Sequence, residues 1–97
     1  MKYSLDVAPS VIKEARKIYH YRECDKKGSG DRFVDALVAC YEKIVANPYG
    51  CQIRKDVFRH VMLHRLKYRL VYTVEGQLAS VVQVRHTSRK PSTKFGP

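Results

Sequence analysis

Arg65, Lys67 and Arg69 recur at alternate positions in a stretch rich in β-branched and aromatic residues, and Arg85 and His86 follow downstream. In a strand, alternate side chains share a face, so the three cations would stand in a row. Guanidinium and ammonium groups in a row bind phosphate or carboxylate. An imidazole on the same face adds a group that can exchange a proton near neutral pH. Each residue also has a plainer account. A solvated sheet face commonly carries arginine, and a strand-end histidine can simply hydrogen-bond to backbone.

Other chemistry-bearing residues carry less. His60 and His64 are four apart, which in a strand is about 13 Å, and no cysteine or carboxylate spacing completes a metal site. No metal and no cofactor is expected. Gly28-Ser29-Gly30 lacks the fingerprint of a phosphate loop and reads as a turn. Cys24, Cys40 and Cys51 are an odd number without C-x-x-C spacing, which argues against a disulfide framework and for a reducing cytoplasm.

The elements that must position these residues follow from periodicity. Tyr3, Leu5 and Val7 alternate with Ser4 and Asp6, predicting a strand that Pro9 ends. Val11, Ala15, Ile18 and Arg22 then recur at helical spacing, and Asp25 to Gly30 supplies the stop. A second stripe of Phe33, Leu37, Cys40 and Ile44 predicts another helix, with Asp31 as N-cap and Asn47-Pro48 as its end. Residues 49–56 read as a polar connection. Strands are predicted near 57–63, 67–74 and 78–86. Glu75-Gly76 reads as a two-residue hairpin turn, which would set Arg69 opposite Val82. Arg65, Lys67 and Arg69 would then share a face with Val82, Val84 and His86, while Tyr68, Leu70, Tyr72, Ala79 and Val81 seat the helices.

The fold class expected is therefore α+β in the order β-α-α-β-β-β, an N-terminal helical hairpin on a mostly antiparallel four-stranded sheet. Residues 1–86 form one domain and 87–97 a basic C-terminal tail. The length of 97 residues leaves no room for a second domain. The formal net charge of +10 is uneven. Residues 1–50 hold nine Lys/Arg against seven Asp/Glu, whereas residues 51–97 hold ten against Asp56 and Glu75 alone. The second half is the expected contact surface for a polyanion. No apolar run approaches the roughly 18 residues of a membrane span, and Asp6 falls where a signal peptide would be apolar.

The runs Leu66-Lys67-Tyr68-Arg69-Leu70-Val71-Tyr72-Thr73-Val74-Glu75-Gly76 and Val82-Gln83-Val84-Arg85-His86-Thr87-Ser88-Arg89-Lys90-Pro91, with Asp31-Arg32-Phe33, Leu37, Ile44 and Asn47-Pro48 upstream, resemble RelE/ParE-type toxins of bacterial type II toxin–antitoxin systems. The resemblance implies a growth-arresting toxin neutralised by a cognate acidic antitoxin, as a homodimer or a toxin–antitoxin hetero-oligomer. Its target would be DNA gyrase in the ParE-like branch, or the ribosome and its mRNA in the RelE-like branch. In the RelE-like case, Arg69 and His86 would be catalytic in a metal-independent endoribonuclease. In either case Arg65, Lys67, Arg69, Arg85, Arg89 and Lys90 would bind target or antitoxin. No tyrosine follows Tyr72, and Thr87 follows His86. Those departures from the nuclease pattern favour the ParE-like branch. A non-enzymatic nucleic-acid-binding module is the alternative of another class.

Overall fold

The computed structural model describes residues 3–63 and 65–87. His64, Arg89, Lys90 and the rest of the expected tail beyond Thr87 lie outside the described residues. The chain runs β1 (Ser4–Val7), α1 (Pro9–Asp25), α2 (Ser29–Ala46), a 3-10 turn (Pro48–Gly50), β2 (Ile53–Lys55), β3 (Phe58–Met62), β4 (Tyr68–Glu75) and β5 (Leu78–His86). One five-stranded sheet has the order β1-β5-β4-β3-β2. Every neighbouring pair is antiparallel except β1 with β5, which is parallel because the helical hairpin carries the chain over the sheet between them.

The fifth strand corrects the four-stranded expectation. β2 lies within the stretch read as a polar connection, and all three of its residues are exposed. A short edge strand with no buried face has no alternation to reveal it.

Pro9 starts α1 at a position where its missing N–H costs nothing. Gly28, at φ 88°, precedes α2, so Asp31 falls inside the first turn rather than at the cap. The cap comes from the other helix. Glu23 of α1 accepts the backbone N–H groups of Gly30 at 2.8 Å, Gly28 at 3.0 Å and Asp31 at 3.3 Å. The same approach leaves no room for a side chain at position 30, since a Cβ on Gly30 would lie 2.8 Å from the Tyr19 carbonyl oxygen. These contacts fold the two helices into an antiparallel pair.

Val11 and Ile18 from α1 and Phe33, Leu37, Cys40 and Ile44 from α2 pack on Val61, Leu70, Tyr72, Ala79, Val81 and Val84. Phe33 meets the Tyr68 ring edge-to-face at 5.1 Å between centroids. Beneath the sheet edge, the Tyr72 hydroxyl donates to the Pro48 carbonyl at 2.7 Å, and Arg59 donates to the carbonyls of Tyr49 and Cys51. The turn after α2 is thus tied to the sheet by side chains.

The β4–β5 hairpin corrects the expected register. Glu75 pairs with Leu78, so Gly76 and Gln77 form the turn, with Gly76 at φ 60°. Further along, Tyr72 pairs with Val81 but Val71 pairs with Gln83, leaving Val82 as the extra residue of a β-bulge. Beyond the bulge the faces exchange. Val84 is buried among the helices, Arg85 stands opposite Arg69, and His86 stands opposite Tyr68.

Candidate functional site

Three strands bring Met62, Arg69 and Arg85 side by side in one row. The residues flanking Arg69, Tyr68 and Leu70, are buried in the core, so this row faces away from the helices. The next row holds His60, Val71 and Gln83. Arg54 from β2 completes the cationic group. Burial, then the like charge of Arg85, then that of Arg54, hold the Arg69 guanidinium below the usual arginine range. Arg69 is therefore a partly desolvated guanidinium under the like charge of Arg85 and of the exposed Arg54.

This face is not a freely solvated one. Arg85 is 7% exposed and Val71 is 1% exposed. The Gln83 side-chain oxygen is buried and accepts no hydrogen bond among the described residues. Guanidinium groups pair with carboxylate or phosphate and a side-chain amide oxygen accepts an N–H, and this face carries both kinds of group.

The residues singled out from sequence divide between several places. Arg69 and Arg85 meet. Arg65 does not join them, because β3 and β4 are linked by a turn, whereas Lys67 lies directly before β4, where its carbonyl accepts the Thr87 N–H at 2.8 Å. Leu63 N–H donates to the Tyr68 carbonyl at 3.0 Å and Leu66 N–H to the Leu63 carbonyl at 3.3 Å. Arg65 takes φ 61° in that turn, and lines a cleft with Ala36, Ala39 and Lys43 of α2. The alternation that predicts Arg65 in one row with Arg69 crosses a turn, where the two-residue period does not hold.

His86 is parted from Arg69 by the bulge. Its ring meets the Tyr68 ring edge-to-face at 5.1 Å, on the helix side of the sheet. Sequence reasoning missed Arg54 and His60 as members of the Arg69 face. Arg54 sits in a strand too short to read. His60 shares a strand face with Phe58 and Met62, and a register for β3 would have placed it.

The model of the family described as ParE toxin of type II toxin–antitoxin system, parDE, matches residues 5–91. The chain belongs to this family of ParE toxins. Membership of such a system implies an antitoxin partner. Among solved structures, the chain is similar to the chromosomal ParDE toxin–antitoxin system from P. aeruginosa. That match has 15% identity and a TM-score of 0.68, and covers 89% of this chain and 97% of the other. At that identity the likeness shows the fold. No match is found among curated proteins. Among the described residues, no helix is long and apolar enough to cross a membrane.

Proposed function

We propose that this ParE toxin arrests bacterial growth by acting on DNA gyrase, in the cytoplasm, and that the Arg54–Arg69–Arg85 face is where an acidic segment of its antitoxin neutralises it. The observation that carries this reading is the crowding of the three guanidiniums. A partly buried guanidinium under the like charge of two neighbours favours an incoming anion, which gives an acidic antitoxin segment its affinity and its register. Gln83, with its unused acceptor on the same face, offers such a segment a backbone hydrogen bond. The separation of His86 from Arg69 weighs against a nuclease built on those two residues.

A second reading, the ribosome-dependent endoribonuclease, has one observation in its favour. His60 lies one row from Arg69 and Arg85, so an imidazole and two guanidiniums share this face without His86.

Induction of the chain in a bacterial host should arrest growth, and purified protein should trap gyrase in cleavage complexes on supercoiled plasmid. Arg54→Glu and Arg69→Glu should each weaken antitoxin binding by about tenfold or more, roughly 1.4 kcal/mol. Cleavage of mRNA on programmed ribosomes, lost in His60→Ala, with gyrase unaffected, would establish the second reading instead. Growth and antitoxin affinity unchanged in both charge reversals would exclude this face as the contact surface.

A further inference from the structure

The first half of the chain is nearly neutral, yet its cations are not dispersed. Lys13, Arg16, Lys17 and His20 recur at helical spacing along α1 and all four are exposed. From residue 13 to residue 20 the row extends about 10 Å. That length matches about three phosphates of a stacked single strand at roughly 3.4 Å each. It lies on the helix side of the molecule, across the sheet from Arg69.

Beside this row, between α1 and the ends of β4 and β5, lies a cleft of about 540 Å³. Glu14, Lys17, Tyr21, Arg22, Tyr68 and His86 line it. Its floor is held in place. Tyr68 is buried against Phe33 and His86, and the Arg22 guanidinium lies 5.8 Å from the centre of the Tyr68 ring while its Nε donates to the Ser29 carbonyl at 3.0 Å. Its mouth is different. Tyr21 is 74% exposed, an aromatic ring standing in solvent at the edge of a cationic cleft.

We propose that the outer row of α1 and this cleft bind single-stranded nucleic acid. Lys13, Arg16 and Lys17 neutralise successive backbone phosphates, and Tyr21 stacks on a base that enters the cleft beside Arg22 and His86. Planar groups around a cationic cleft suit an unstacked base, whereas a duplex keeps its bases inside and an acidic peptide has no use for several ring faces. The bulge at Val82 contributes by turning His86 to this side. The proposal goes beyond the gyrase and antitoxin reading and does not rest on it, because it concerns the opposite face of the sheet.

The test is fluorescence anisotropy of the full chain with labelled oligothymidylate and oligouridylate of about a dozen nucleotides, titrated at several salt concentrations. The triple variant Lys13→Ala/Arg16→Ala/Lys17→Ala should bind at least about tenfold more weakly. Its salt dependence should be shallower by about two in log affinity per log salt, near 0.7 for each phosphate no longer neutralised. Tyr21→Ala should lose about fivefold or more, the lower bound of one stacked base. Lys43→Ala, a charge control on α2, should bind within about twofold of the parent protein. Far-UV circular dichroism of these exposed-site variants checks that each is folded. The tighter of the two oligonucleotides identifies DNA or RNA as the source, and equal binding supports recognition through phosphate and base alone. Undiminished binding in the triple variant and in Tyr21→Ala overturns the proposal. So does a loss confined to Arg69→Ala, or poly-glutamate competing as well as an unlabelled strand of equal charge.

Discussion

Glu23 does by one carboxylate what the residues at the start of α2 do not do for themselves. The Gly28 N–H is the main cause that holds this carboxyl below its ordinary value of 4.5, with the N–H groups of Gly30 and Asp31 adding to it against some desolvation. A depressed carboxyl stabilises the fold fully above its unfolded value, and that stability is lost as pH falls through the lower folded value. Glu23→Gln should therefore lower the urea midpoint at neutral pH and flatten the loss of stability below about pH 4.5, read from urea unfolding across an acid series. Parallel profiles for the two proteins would refute the carboxylate cap. Tyr72 works in the other direction. Burial first, then its hydrogen bond with Cys51, raises its hydroxyl above the ordinary 10.0, so its contribution is present below pH 10 and lost as pH rises beyond it. Tyr72→Phe leaves the Pro48 carbonyl without its donor and should cost about 1–3 kcal/mol. It should also soften the alkaline loss of stability, measured by thermal melts at neutral and alkaline pH.

At the scale of elements, the bulge in β5 decides which side chains share a surface. With Val82 as the extra residue, Val81 and Val84 both face the helices although they are three apart. Deleting Val82 should leave a regular ladder with Val84 still inside and Arg85 still beside Arg69. The variant should fold with a loss of no more than about 1 kcal/mol, or roughly 4–8 °C in Tm. A straight ladder in the parent protein would give the opposite result, because the same deletion would turn Val84 outward and Arg85 inward and unfold the sheet. The helical hairpin was legible from residue types, since Phe33, Leu37, Cys40 and Ile44 match the buried stripe of α2. Its N-cap was not, because Glu23 belongs to the preceding helix and meets Gly28 only after the hairpin closes.

For the molecule as a whole, one core joins both helices to strands from the two ends of the chain. Unfolding followed by circular dichroism and by tyrosine fluorescence should therefore give coincident transitions; two separate midpoints would show that the hairpin and the sheet are independent units. The sheet also divides the charge. One cationic group, Arg54, Arg69 and Arg85, lies on the side away from the helices, and another, Lys13 to His20, lies along α1. The two proposals therefore assign an acidic protein segment and a nucleic-acid strand to different sides of a chain of 97 residues.

By itself the sequence determined the α+β class, the helical hairpin, the hydrophobic stripes, the excess of positive charge and the place of Arg69 on a face turned from the core. Those are properties of local period and residue type, which every stretch of chain carries alone. Tertiary structure decided which cations meet. Arg54 came from an edge strand without a buried face, Arg65 left the row in a turn, and one bulged residue moved His86 across the sheet. Side chains alternate with a period of two, so a single extra residue exchanges the faces of everything beyond it. Whether a strand holds that residue is settled by packing against its neighbours.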